Sequence, residues 1–165
     1  MRIKPGQRLP RGRFRTMTPA GVETLSAEEI FEGKRVVLFA VPGAFTTTCS
    51  DTHLPGYLAR IEDFKALDVD TVACLSVNDV FVMDAWRKVA GVERHLLMLA
   101  DGSGEYTRAL GLELDLTGAG MGVRSRRFAA IVEDGVVKVL NVESGRGVDV
   151  SGADTILAAL GGMSS

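Results

Sequence analysis

The chain has 165 residues, 46% of them hydrophobic and 24% charged, which supplies enough apolar content for one compact domain and excludes a largely disordered chain. Its 19 basic and 21 acidic residues leave a formal net charge of −2, which excludes the electrostatic footprint of a nucleic-acid-binding protein; Arg124, Arg126 and Arg127 form only a local basic cluster. No apolar run is long enough to cross a bilayer, residues 1–6 lack the apolar core of a signal peptide, and two cysteines do not make a disulfide scaffold. The expectation is therefore a soluble protein in a reducing, cytoplasmic compartment; an organellar transit peptide already removed would leave no trace to read.

In chain order, apolar strands alternate with amphipathic helices, the pattern of an α/β domain with a mixed sheet covered on both faces, and no linker divides residues 1–165. A short strand is predicted over 14–18. Ser26-Ala27-Glu28-Glu29 has the form of a capped helix start, with Gly33 as the stop. Arg35 to Val41 is a continuous β-branched and aromatic run, ended by Pro42-Gly43, a pair poorly suited to continuing a ladder. Leu54, Tyr57, Leu58, Ile61, Phe64 and Leu67 then recur at spacings of three and four, which predicts a helix with Thr46 or Thr47 as N-cap. A buried strand is predicted over 69–77. Asn78 or Asp79 caps a helix through Trp86 and Val89 to Gly91, and Leu96 to Ala100 reads as another buried strand. Asp101-Gly102 turns into a short helix around 106–110. Gly118-Ala119-Gly120-Met121-Gly122 lacks the spacing of a nucleotide-binding loop and opens no helix after a strand, so it reads as a mobile loop. Phe128 to Val132 and Val136 to Val142, joined across Glu133-Asp134-Gly135, give the best hairpin signal, and a helix over 153–160 closes the chain.

The strand-to-helix junction places Cys49 in a first helical turn. There a sulfur meets free backbone N–H groups and the positive end of the helix dipole, an environment that lowers a cysteine pKa from about 8.5 toward roughly 3.5 to 7.5. The dipole alone contributes about 0.3 to 1 kcal/mol at exposed sites, so a fixed cation nearby is expected as well. Strand alternation allows one arginine of the 124–127 cluster to point inward without saying which. His53, four residues past Cys49, lies on the same helix face and raises a Cys-His hydrolase pair, although the base of such enzymes normally comes from another element. His95 carries no functional signal. With no Cys-x-x-Cys pair and only two histidines, no metal site is expected.

Pro42, Thr46 and Cys49 form a Pro-x-x-x-Thr-x-x-Cys pattern, extended by Cys49-Ser50, Thr52-His53-Leu54-Pro55-Gly56, Ala73 through Asp79, and Trp86. In these residues the chain resembles the peroxiredoxins, and among them the type II, or peroxiredoxin-five, subfamily. The resemblance runs from about Ile30 to Glu143 and more loosely to the C-terminus. It implies a thioredoxin-like fold and a thiol-specific peroxidase that reduces hydrogen peroxide and organic hydroperoxides without metal or organic cofactor. The chemistry of the residues agrees: Cys49 is the nucleophile that becomes sulfenic acid, Thr46 can set its hydroxyl beside the sulfur, Pro42 shields the turn from water, and the backbone N–H groups of Thr48 and Cys49 face the developing charge. The family's arginine, just before the Phe-x-x-x-Val strand, maps to Arg127, and His53 looks structural. Relatives form dimers through loops near the active site and the helix after Asp79, which implies a homodimer here; Phe81, Val82 and Trp86 fit core contacts equally well.

Cys74 lies 25 residues after Cys49 in a predicted buried strand, where Val72, Cys74 and Ser76 share one face. This suits a packed structural cysteine, yet type II relatives in plants carry a cysteine at this spacing, so Cys74 is a candidate for either a resolving or a structural thiol. Bridging it to Cys49 requires Cα atoms within about 7 Å and local unfolding of the first helical turns. Animal peroxiredoxin-five proteins add a resolving cysteine near the C-terminal helix, whereas Gly147-Val148-Asp149-Val150-Ser151 has none. The expectation is a one-cysteine cycle in which an external thiol, glutathione with glutaredoxin or a thioredoxin, attacks the Cys49 sulfenate. Thr47 stands where many relatives have proline, which is expected to loosen the turn modestly without changing its chemistry. The alternative is a thioredoxin-fold redox-relay module in which Cys49 forms mixed disulfides with a protein partner.

Overall fold

The apolar runs of the sequence become the central strands of a seven-stranded mixed sheet in a computed structural model that describes residues 2–93, 95–145 and 147–163. The strands are β1 (Arg13–Thr18), β2 (Gly21–Ser26), β3 (Arg35–Val41), β4 (Thr71–Ser76), β5 (Leu97–Ala100), β6 (Glu113–Leu116), β7 (Gly122–Ser125), β8 (Phe128–Glu133) and β9 (Val136–Val142). The helices are α1 (Ala27–Phe31), α2 (Leu54–Ala59), α3 (Ile61–Ala66), α4 (Val80–Ala90), α5 (Glu105–Leu110) and α6 (Ala153–Met163). The sheet order is β2-β1-β5-β4-β3-β8-β9, with β3, β4 and β5 parallel and the outer strands antiparallel.

Alternation along the central strands builds two cores, because successive side chains point to opposite faces. Val37, Phe39 and Val41 of β3, Val72 and Cys74 of β4, and Ala129 and Ile131 of β8 pack against the helices that follow β3, together with α4 and α6. Val36, Leu38 and Ala40, with Ala73, Leu75, Ala130 and Val132, pack on the other face against α1 and α5. Trp86 is buried on α4, while Phe81, the second residue of that helix, is 68% exposed.

The local signals act as capping chemistry requires. Ser26 Oγ accepts from the Glu29 N–H while Glu29 Oε1 accepts from the Ser26 N–H, both at 3.1 Å, a closed capping box. Asp79, rather than Asn78, caps α4 by accepting from the Val82 N–H at 2.9 Å, and Gly91 closes the helix at a φ of 72°. Asp134 and Gly135 both take positive φ in the β8–β9 turn.

Three features differ from the expectations. β2 has no counterpart among the expected strands, since Gly21–Ser26 is an edge strand with no buried side chain and no clean alternation. The glycine-rich stretch is no open loop: Thr117–Ala119 is a 3₁₀ turn, and β6 and β7 flank it as a two-stranded antiparallel hairpin. The helix after β3 is not regular either. It begins at residue 47, widens into a π-helical turn over Cys49–His53 where the Leu54 N–H donates to the Cys49 carbonyl, and breaks at Arg60 between α2 and α3. Pro55 is the physical cause of the widening, because it offers no N–H to the Asp51 carbonyl and its ring would crowd that oxygen in an α-turn.

Because Asp79 satisfies an N–H at the start of the helix that carries Trp86, Asp79→Ala is expected to lower unfolding free energy by about 1 kcal/mol, as measured by urea denaturation of the reduced protein.

Candidate active site

Strand register brings the two ends of the site together. β8 runs antiparallel to β3 with Ala40 opposite Phe128, so the residue preceding β8 lies beside the end of β3, where the Pro42 turn begins. That residue is Arg127. It is 6% exposed, its Nη2 donates to Cys49 Sγ at 3.2 Å, and its Nη1 lies 2.9 Å from His53 Nδ1. Among the described residues, Arg127 makes no ion pair with a carboxylate.

The same contacts fix the state of His53. A guanidinium only donates, so Nδ1 is the bare nitrogen, and the ring proton sits on Nε2, which donates to the Ser151 carbonyl at 3.0 Å. Burial pushes the His53 pKa down to about 4; the Ser151 hydrogen bond opposes that fall, the Arg127 charge adds to it, and the Glu143 charge opposes it. Both ring nitrogens are occupied, so His53 offers Cys49 no base, which removes the hydrolase pair. Its contact with Arg127 bridges 74 residues of sequence and left no local signal.

Cys49 has no exposed surface and sits at the N-terminal end of the helix. The first helical donor is the Ser50 N–H, which bonds the Thr46 carbonyl at 2.9 Å; the N–H groups of Thr48 and Cys49 precede it and have no helical carbonyl behind them. Thr46 is thus the N-cap by its backbone, while its hydroxyl donates to the Gly43 carbonyl at 2.7 Å instead of capping the helix. Pro42 and Thr46 are both half-buried.

Neighbouring elements hold that turn from several sides. Asn78 Oδ1 accepts from the Ala44 N–H at 2.9 Å and from Ser76 Oγ at 2.6 Å, and Trp86 Nε1 donates to Ser50 Oγ at 3.0 Å. Phe45 has a φ of 64°, an uncommon conformation for a bulky residue that the surrounding bonds must enforce. The arginine cluster divides by register. Arg124, half-buried on β7, bonds the Met121 carbonyl at 2.8 Å and reaches the Pro42 carbonyl at 3.4 Å, whereas the Arg126 N–H donates to Leu112.

Cys74 lies opposite Phe39 of β3, in the same core as Cys49 and completely buried; burial, with a smaller contribution from the Cys49 charge, pushes its thiol well above the usual range. Both thiols are free. Among the described residues, no group of three or more His, Cys, Asp or Glu side chains is placed to hold a metal ion, and no helix is long and apolar enough to cross a membrane.

The model of the Redoxin family matches residues 4–157. The chain is 54% identical over 139 residues to Peroxiredoxin-2B of Arabidopsis thaliana, covering 84% of this chain and 86% of that one. The chain belongs to the peroxiredoxin family. It falls in the type II subfamily and is a thiol-dependent peroxidase, an oxidoreductase. It is also 46% identical over 162 residues to the chloroplastic Peroxiredoxin-2E of the same plant, covering 96% of this chain and 69% of that one. The crystal structure of reduced Prx3 from Vibrio vulnificus in complex with H2O2 superposes with a TM-score of 0.92 at 51% identity, covering 96% of this chain and 99% of that one. The mixed sheet flanked by helices is accordingly a thioredoxin-like peroxiredoxin fold.

The depressed His53 pKa has a stability consequence with a definite sign. Between pH 6.5 and about 4 the unfolded chain binds a proton at His53 that the folded chain refuses, so folding stability falls as the pH drops through this window. The loss amounts to roughly 3 kcal/mol. Urea denaturation at a series of pH values is expected to show it in the native sequence, and a flatter profile in His53→Gln.

Proposed function

We propose that this peroxiredoxin reduces hydrogen peroxide and organic hydroperoxides through Cys49, and that an external thiol, glutathione with glutaredoxin or a thioredoxin, restores it. The observation that carries the proposal is the 3.2 Å contact from the Arg127 guanidinium to the Cys49 sulfur, made by a cation that has no ion pair with a carboxylate among the described residues. The Cys49 thiolate attacks one peroxide oxygen; an S–O bond forms, the O–O bond breaks, and the departing hydroxide or alkoxide takes up a proton. The sulfur is oxidised by two electrons to sulfenic acid, and the peroxide is reduced to water or alcohol. Arg127 and the N–H groups of Thr48 and Cys49 offer donors to the negative charge that develops on the oxygens. The Thr46 hydroxyl has its own proton committed to Gly43, so its oxygen is left to accept one from the peroxide. Pro42 keeps water from the turn.

An incoming thiol then displaces water from the sulfenic acid to give a mixed disulfide, and a second thiol releases Cys49. Cys74 is assigned a structural role, supported by its complete burial and raised pKa. We assign the protein to the cytoplasm, a reducing compartment consistent with two free thiols. A homodimer is proposed from the apolar side chains of Phe45 and Phe81, 50% and 68% exposed on the active-site turn and on α4.

Stopped-flow mixing of the reduced protein with stoichiometric hydrogen peroxide is expected to show Cys49 thiol loss far faster than that of a free cysteine, and no such phase in Cys49→Ser. A rate like that of a free thiol would favour the redox-relay module. Cys74→Ser is expected to keep steady-state turnover with an external dithiol reductant, and abolished turnover would overturn the one-cysteine cycle.

A further inference from the structure

The bonds that lead away from Arg127 do not stop at His53. Ser151 is fully buried, and its carbonyl accepts from both His53 Nε2 at 3.0 Å and the Tyr57 hydroxyl at 2.7 Å. In the loop between β9 and α6, tethers must hold the carbonyl at that place. Glu143, the residue after β9, does so: its Oε2 accepts from the Asp149 N–H at 2.7 Å, the Ser151 N–H at 2.8 Å and the Ser151 hydroxyl at 2.6 Å. Asn141 adds a bond to the Val150 carbonyl at 2.9 Å. The backbone of Glu143 returns to the start of the chain of contacts, since its N–H donates to the Arg127 carbonyl at 2.9 Å. One residue thereby fixes Arg127 through its main chain and fixes the partner of His53 through its carboxylate.

We propose that Glu143 and Ser151 are positioning residues for the peroxidatic centre: by holding the Ser151 carbonyl against His53 Nε2–H, they keep the bare Nδ1 toward Arg127 and so aim the guanidinium at the Cys49 sulfur. Three features of the geometry support this. His53 could present either nitrogen to Arg127, and a ring with its proton on Nδ1 would turn a donor toward a guanidinium that can only donate. The Ser151 carbonyl decides between the two tautomers, because it requires a donor at Nε2. A carboxylate that gathers three donors on one oxygen makes charge-assisted bonds, which are stronger than neutral ones and suited to holding a loop. This role rests on the reading of Cys49 as the peroxidatic nucleophile, but the coupling of Glu143 to His53 can be measured without peroxide.

The test compares Glu143→Leu and Glu143→Gln with the native sequence by two readouts on the reduced protein: nitrogen-15 NMR of the His53 ring, which reports its tautomer, and the stopped-flow second-order rate with hydrogen peroxide. The native ring is expected to give a single Nε2–H signature. Glu143→Leu is expected to mix the tautomers and lower the peroxide rate by about tenfold or more, as misplacement of a catalytic group does. Glu143→Gln keeps an acceptor for the same donors and is expected to retain the signature and most of the rate. Should Glu143→Leu not fold, Ser151→Ala, which removes only the hydroxyl–carboxylate bond, is expected to broaden the His53 signature and slow the reaction measurably. A Glu143→Leu or Ser151→Ala protein with an unchanged His53 tautomer would overturn the proposal, whatever its rate. A native protein that has the signature but reacts slowly with peroxide would instead count against the peroxidatic role of Cys49.

Discussion

The site depends on a buried guanidinium bonded to a sulfur. Taking an arginine out of water costs several kcal/mol unless the charge is paired and its N–H groups are satisfied. Arg127 has no carboxylate to pair with among the described residues. Its forked donors are divided between Cys49 Sγ, which can carry a negative charge, and His53 Nδ1, which supplies a lone pair and no charge. Neutral His53 thus satisfies the geometry of the cation while leaving its charge for the sulfur. A carboxylate in the same place would compete with the thiolate for that charge.

Much of the fold serves this contact. Antiparallel pairing of β3 with β8 brings residues more than seventy positions apart in sequence side by side, and the parallel neighbours β4 and β5 bury the strand that leads into the Pro42 turn. At the end of β4, Ser76 and, just beyond it, Asn78 hold the turn; from α4, Trp86 holds the residue after Cys49. The π-helical turn imposed by Pro55 carries both Cys49 and His53, so the irregular piece of the helix is also the piece that meets Arg127. Stability and chemistry share side chains here. Tyr57 stacks on Phe39 at 4.0 Å in the core while its hydroxyl supports the same Ser151 carbonyl as His53.

The parts legible in the sequence are those whose cause is local. Arg35–Val41 reads as a strand because its residues are buried on both faces and need no alternation. Ser26, Asp79 and Gly91 announce helix ends because a cap is made within a few residues. Cys49 in a first turn follows from the same logic, and the motif around it led to Arg127. The rest depends on distant partners. β2, β6 and β7 are short, partly exposed strands whose pairing rather than composition defines them. The role of His53 needs a carbonyl 98 residues away, and that of Asn78 needs an amide 34 residues before it. Nothing in the spacing of Arg124, Arg126 and Arg127 tells which one turns inward; the register of β8 against β3 decides it.

The bridge itself can be tested with one substitution. Arg127→Lys keeps the positive charge but replaces a planar fork with a single ammonium that cannot bond Cys49 and His53 in the same geometry. Stopped-flow measurement of the second-order rate of Cys49 with hydrogen peroxide, on folded reduced protein, separates charge from geometry. If the fork is what activates the sulfur, the rate falls by about a hundredfold or more. A rate within about threefold of the native value would show that the charge alone suffices and would contradict the bridge as the origin of reactivity.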